Sequence, residues 1–477
     1  MRSLAWLALA ASLGACVTPL DRSVPRQSFR RSREALESAQ RSLGTPMPGP
    51  IAVGWGRARI EAPPGVTLAG YGSRASTPSI GVHDPCFARA LAVRSGSEPP
   101  ALWIAADLLL IDRDTREAVA AALRGVVEPE RILYTATHTH GGPGGYVDGL
   151  IYSLVAGPSR ADMKTALVNA LSQAARTAVG GLAPGRIAFG EIEAPGLSTN
   201  RVRKSGLPTD PVIGLVLLER DADHHRAALI AYAAHATTIS DLEATLTADY
   251  PGQLVQGLEA DGSLELAAFS AGAVGSMSPR AGWSEHPGAA WMGAELGRAV
   301  RLGLPRIAQA LSDQRAISVL SFQVTTPPRQ WRIGDELAIP LIAQSFAPTQ
   351  LRVAALSMGK DTWVSLPVEL SGEIAARLRA RARAEGRLLV ISVFGGDYGG
   401  YVVPRSAYDL PEAERGEMAD YERKLMSFYG PWMGDLFAAA TWRAMRAVSE
   451  VIPQPPRGPL VVVAPPQTSP PPEPPRP

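Results

Sequence analysis

The sequence predicts an α/β fold (mixed α+β), a layered domain of sheet and helix. Short apolar runs alternate with longer helical stretches along most of the chain, which is the pattern of helices covering a sheet. The composition, 46% hydrophobic and 19% charged over 477 residues, is that of a globular protein with enough chain for two to three average domains or one large one. No internal repeat breaks the pattern. The strand-like runs are 101–106, 132–136, 213–218, 227–234, 264–269, 363–366 and 388–394. Between them come helical stretches at 116–124, following Asp112 and Asp114, at 161–179, ending on Gly180 and Gly181, and at 373–385, ending on Gly386. Strand order does not follow from such a pattern.

Taken in order, residues 1–15 read as an export signal. Arg2 precedes an apolar core from Leu4 to Leu13, too short for the roughly 20 apolar residues that span a bilayer. The ending Leu13, Gly14, Ala15, Cys16 resembles the lipobox of bacterial lipoproteins, which implies cleavage before Cys16 and diacylation of its thiol; an ordinary secretory signal is the alternative. Residues 16–50 are polar and basic, with Arg22, Arg26, Arg30, Arg31, Arg33 and Arg41, and read as a partly helical tether near a membrane surface or a solvated linker. Residues 51–451 form one continuous globular region. Residues 452–477 read as a disordered, polyproline-like tail, because 453–477 hold twelve prolines. The expected location is therefore an exported, membrane-anchored lipoprotein, periplasmic or on the outer membrane. Cleavage would leave 46 Lys and Arg against 45 Asp and Glu, so no electrostatic bias toward nucleic acid follows. Acylation of Cys16 would leave Cys86 without an intramolecular partner, so disulfides do not staple the fold.

The chemistry concentrates where apolar runs stop. His138 and His140 stand at i and i+2 just before the glycine-rich run 141–145. In a strand, side chains two apart point the same way, so both imidazoles are expected to face one spot, as zinc ligands or proton carriers. A pair held by hydrogen bonds in the core is the alternative. His235 ends the run 227–234, Glu369 lies at a strand-to-helix junction, Tyr398 and Tyr401 follow the strand ending at Phe394, and 271–280 form a further switch from strand to loop. Several such switches carrying polar or metal-capable groups are what the rim of an active site would look like.

These residues resemble the catalytic domain of the neutral/alkaline, non-lysosomal ceramidase family. The resemblance rests on Ala136 to Gly145 around the two histidines, Gly54-Trp55-Gly56, Leu68 to Gly72, Gly81 to Ala90, Asn200-Arg201, His235 to Thr237, Gly275 to Pro279, Pro367 to Glu369, Tyr398 to Tyr401, and Tyr429 to Pro431. It covers roughly 51–450 and is weakest over 281–350. It implies a zinc-dependent amidohydrolase that cleaves an N-acyl bond of ceramide or a related N-acyl lipid, zinc activating a water for attack on the amide carbonyl. Carried over by position, it implies His138, His235, Glu369 and Tyr401 as zinc ligands. His140 would lie beside the metal without ligating it. Arg201 would stabilise the carbonyl oxygen, and Ser278 would contact the polar head of the substrate.

The chain departs from the family pattern at Val202 and Arg203 after Asn200-Arg201, at Ser276 and Arg280 in the 275–280 loop, and at Leu370 to Gly372 after Glu369. It is also expected to lack the immunoglobulin-like C-terminal domain. Two other readings stand beside this one: a non-catalytic lipid-binding surface lipoprotein, and a serine hydrolase using Ser270, which sits in a small-x-Ser-x-Gly turn loosely like a nucleophile elbow.

Overall fold

The computed structural model describes residues 17–281, 284–449 and 461–463. The export signal and Cys16 lie outside them. The principal strands are β1 (Gly49–Arg59), β2 (Phe87–Ser95), β3 (Ala101–Ala106), β4 (Ile132–Ala136), β5 (Ala183–Glu193), β6 (Val212–Arg220), β7 (Arg226–Tyr232), β8 (Leu266–Ala271), β9 (Ile317–Thr325), β10 (Gln350–Met358), β11 (Asp361–Ser365) and β12 (Leu389–Ser392). The principal helices are α1 (Arg26–Arg41), α2 (Arg113–Ala122), α3 (Ala161–Gly180), α4 (Asp249–Ala260), α5 (Glu285–Ala308), α6 (Gly372–Ala384) and α7 (Met433–Val448).

The larger sheet runs β8-β7-β6-β5-β1-β2-β3-β4 and the smaller β9-β10-β11-β12. Only β8 on β7, β3 on β4 and β11 on β12 are parallel among these neighbours; the others are antiparallel. The two sheets pack face to face through Trp55, Trp103, Phe189 and Leu229 on one and Val319, Leu356, Trp363 and Val390 on the other. Trp103 and Trp363 meet edge to face at 6.2 Å across this interface. A buried ring of this kind contributes about 3–5 kcal/mol against truncation to alanine. α4 and α5 cover the outer face of β5 to β8. α1, α6 and α7 cover the outer face of the smaller sheet. α3 lies so close on β1 that a Cβ at Gly54 would sit 2.2 Å from the Ala178 carbonyl oxygen. The layered α/β architecture is the one the alternating pattern predicts.

The larger sheet curls until its edges meet, as the accumulated twist of a long sheet allows. The hydroxyls of Thr135 on β4 and Ser270 on β8 are 2.7 Å apart. The ends of the smaller sheet close the same seam. Ser365 Oγ donates to the Tyr134 carbonyl, Val393 N to the Ala271 carbonyl, and Thr135 Oγ1 to the Val393 carbonyl. The C-terminal ends of β4, β8, β11 and β12 therefore crowd together, and the chain leaving β7 joins them through a bridge between Thr139 and Ala236.

Two segments differ from expectation. Residues 26–41, assigned to a tether, form α1 docked on the smaller sheet. Its buried stripe is Ser28, Ser32 and Leu36, and its serines are bound to the sheet: Ser28 Oγ donates to the Thr326 carbonyl and Thr325 N donates to Ser32 Oγ. A stripe made largely of serine carries no apolar periodicity, so the pattern hid it. In the tail, Val461–Val462 pair with Ile192 and Glu193 of β5, and Val463 is buried. Cys86 is a free, buried thiol in the core. No helix among the described residues is long and apolar enough to cross a membrane.

Candidate functional site

His138 leaves β4 two residues after its last strand residue, with φ of +60°. Such a left-handed backbone is uncommon outside glycine and is held here by surrounding contacts. His138 and His140 are thus brought together by a turn and not by the strand alternation that the spacing suggests; their Nε2 atoms are 3.4 Å apart. The His138 ring stacks on Phe394 at 4.1 Å, and its Nδ1 is 2.7 Å from the Leu109 carbonyl. A carbonyl only accepts, so Nδ1 donates and Nε2 is the nitrogen turned toward the neighbouring groups. His140 packs against a backbone with no room for a side chain, since a Cβ at Gly70 would lie 2.5 Å from its Cγ. Tyr71 meets its ring edge-on at 4.8 Å.

His235, fully buried, is oriented in the same way. Its Nδ1 donates to the Met277 carbonyl at 3.1 Å, leaving Nε2 as a lone pair. That nitrogen is 3.2 Å from Glu369 Oε2 and 3.1 Å from Tyr401 Oη, and His138 Nε2 is 3.5 Å from the same Glu369 oxygen. Glu369 and Tyr401 are direct neighbours in a short parallel pairing of Glu369–Leu370 with Tyr401–Val402. Tyr398 Oη donates to the other carboxylate oxygen at 2.5 Å.

The protonation states follow from burial. Burial, with the Arg201 charge, pushes His235 down to about 3, so its ring is neutral. Burial would raise Glu369, but the two histidines outweigh it and hold the carboxyl well below the usual range. Burial, with Glu369 next to it, pushes the Tyr401 phenol well above 10. Two imidazole nitrogens and a carboxylate oxygen thus converge on one point beside a phenol, a donor set that a cation can hold together. The donor set of His138, His235, Glu369 and Tyr401 fits a divalent ion such as zinc. The carbonyls of Leu109 and Met277 play the orienting role that ligand histidines ordinarily need.

Arg201 lies at the edge of this set and is 8% exposed. Its Nη2 donates to Tyr401 Oη at 3.0 Å and to His235 Nε2 at 2.9 Å. Its Nε donates to Glu422. The structure therefore gathers His138, His140, His235, Glu369, Tyr401 and Arg201 around one point. Ser278 is half-buried on the short strand Met277–Pro279, next to the residue whose carbonyl holds His235; among the described residues no side-chain hydrogen bond joins it to the cluster.

Ser270 is corrected. It is fully buried within β8, paired with Ala231, and its hydroxyl is spent on Thr135 and the Ala271 carbonyl, so it is neither an exposed elbow nor within reach of a base. Among the described residues a second set of metal-capable groups, His83, Asp84 and His286, is satisfied internally. Its two rings stack face to face at 3.5 Å, so their planes cannot both contain one ion, and the Asp84 oxygens are taken by Thr247 Oγ1 and Ala248 N. Sequence reasoning assigned no role to Tyr398, although it stood within a quoted motif, and did not find Glu422, which no local pattern marks.

Comparison with known proteins identifies the family and the fold. The profile of the neutral/alkaline non-lysosomal ceramidase family, N-terminal, matches residues 51–289. The chain is similar to the neutral ceramidase of Pseudomonas aeruginosa, 26% identical over 280 residues that make up 55% of this chain and 41% of that one. It is similar to the neutral ceramidase of Mycobacterium tuberculosis, 28% identical over 165 residues, 33% of this chain and 26% of the other. The match to the Drosophila melanogaster neutral ceramidase is 25% over 225 residues, 43% and 32% of the two chains. The aligned part thus spans about two fifths or less of these curated relatives. Among solved structures, the crystal structure of the P. aeruginosa neutral ceramidase superposes with a TM-score of 0.70 at 19% identity, covering 87% of this chain and 76% of that one. A ceramidase complexed with C2 gives 0.69 at 18% identity, covering 85% and 77%. These superpositions show that the fold is shared.

Proposed function

Since this chain belongs to the neutral/alkaline, non-lysosomal ceramidase family, we propose that it is a zinc-dependent amidohydrolase that cleaves the N-acyl bond of ceramide or a related N-acyl lipid. The observation that carries the reading is the convergence of His138 Nε2, His235 Nε2 and Glu369 Oε2 beside Tyr401, with a buried arginine facing them. These four residues would hold the metal. When bound, zinc supplies Lewis acidity and lowers the pKa of a water toward roughly 7.

The chain's own groups do the rest. Arg201 brings a permanent cation into a buried site, where a fixed charge facing the carbonyl oxygen is worth far more than in water. His140 places Nε2 beside His138 and is suited to hydrogen-bond that oxygen or to pass a proton to the leaving nitrogen. Tyr398 fixes the free oxygen of Glu369, so the carboxylate cannot rotate away. Ser278, one residue from the Met277 carbonyl that orients His235, would contact the polar part of the substrate.

The test is a screen of purified protein, with and without zinc, against N-acyl lipids, N-acyl amino acids and the matching esters. Release of fatty acid from an N-acyl lipid is expected; release from esters alone would overturn the assignment, and release from nothing would favour a lipid-binding role.

The reading also places the protein on a membrane through an acylated Cys16, since acyl chains contribute about 0.8 kcal/mol per buried CH₂. Cys16→Ser is expected to yield a soluble form or an uncleaved precursor, and normal processing and membrane retention of that variant would refute the anchor.

A further inference from the structure

We infer that Glu422 is a positioning residue that holds the Arg201 guanidinium in its working orientation, an inference that rests on the hydrolase reading above. Glu422 is 0% exposed and lies on a single π-helical turn, Tyr421–Leu425. Such turns are rare and frequently occur at functional sites. Its Oε1 accepts from Arg201 Nε at 2.5 Å, while its Oε2 is buried without a hydrogen-bond partner. The carboxylate therefore spends its one strong contact on Arg201.

That contact limits how the rest of the guanidinium can be oriented. Arg201 has a long side chain with several rotatable bonds, and its Nη2 reaches both Tyr401 Oη and His235 Nε2. Holding Nε restricts the plane of the rigid fork, and with it the direction in which Nη2 points. A buried carboxyl–guanidinium contact adds little net stability over an apolar pair of the same shape, so stability alone does not account for this one.

The strap that carries Glu422 is itself anchored on both sides. Toward Arg201 it makes backbone bonds from Gly416 N to the Val202 carbonyl, from Met418 N to the Arg201 carbonyl, and from Tyr401 N to the Met426 carbonyl. Away from it, the buried Arg423 is tied to Asp420, to Asp335 and to the Tyr408 carbonyl. Glu422 is thus presented by a frame rigid enough to aim another side chain.

The experiment compares Glu422→Ala, Glu422→Gln, Arg201→Ala and the double variant Glu422→Ala/Arg201→Ala, each checked for zinc content and folding, on a short-chain ceramide. Glu422→Ala is expected to lower kcat by roughly 10–100-fold with KM little changed, the size of effect that misplacing a catalytic group produces. Glu422→Gln, which keeps the acceptor, is expected to recover much of that loss. In the Arg201→Ala background the Glu422→Ala change should add less than about 2-fold, because a residue acting only through Arg201 has nothing left to act on. Losses that multiply in the double variant, or parental kcat in Glu422→Ala, would overturn the inference.

A second readout needs no turnover. The Arg201 Nε–H signal, identified by its absence in Arg201→Lys, should be protected from solvent exchange in the parent and in Glu422→Gln, and lose protection in Glu422→Ala. An inactive parent with that protection pattern intact would condemn the hydrolase reading while leaving the positioning contact standing; unchanged protection in Glu422→Ala would condemn the contact itself.

Discussion

His235→Ala protein is expected to lose its bound zinc, from about one per chain in the parent, and to lose hydrolysis by on the order of 10³-fold or more in kcat/KM. Elemental analysis and initial rates on the same preparation measure both. The expectation follows from the orientation of the ring: Nδ1 is committed to the Met277 carbonyl, so Nε2 has no role except to face Glu369, Tyr401 and Arg201. His138→Ala should behave in the same way, because the Leu109 carbonyl commits its Nδ1 identically. Undiminished zinc in both variants would remove these residues from the ligand set. The fold should survive in both, since the two imidazoles sit at loop positions after β4 and β7 and not in the sheet interface.

Arg201→Ala and His140→Ala separate metal binding from transition-state stabilisation. Both should retain zinc and lose roughly 10²–10³ in kcat, the usual effect of deleting one group that faces a developing oxyanion. The loss should fall mainly on kcat, because the charge these residues face exists mainly in the transition state. Arg201 touches Tyr401 and His235 without offering a lone pair, so zinc content read alongside kcat distinguishes its role from theirs. Loss of zinc in either variant would assign that residue to the metal; parental rates in both would remove it from the reaction.

The parts of this molecule that were legible in the sequence share a physical feature. β3 and β4 coincide with the apolar runs 101–106 and 132–136 because strands buried on both faces are apolar throughout. β9 and β10 were not recognised, since Ser318, Ser321, Gln323 and Arg352 interrupt their apolar residues. α1 was read as a tether because the side chains it buries are chiefly serines that hydrogen-bond to backbone, a contact hydropathy cannot register. In the site, the spacing of His138 and His140 led to convergence, although the left-handed turn at His138 and not strand alternation produces it. His235, Glu369 and Tyr401 come from strand ends far apart in the chain; their positions at strand-to-loop switches mark them as rim residues, and the family resemblance alone makes them one ligand set. Glu422 was out of reach of either route. It lies 221 residues from Arg201, and its importance depends on a strap that only the folded chain brings across the site.

Metal-dependent N-acyl hydrolysis is the activity proposed for this cluster. Its most direct test is to follow free amine and free fatty acid together from a short-chain ceramide, using the parent protein as purified, after chelation, and after adding back zinc alone. Equal amounts of the two products are expected, with their loss on chelation and their recovery with about one zinc per chain. Products released at an unchanged rate by protein shown to be free of metal would contradict the proposal.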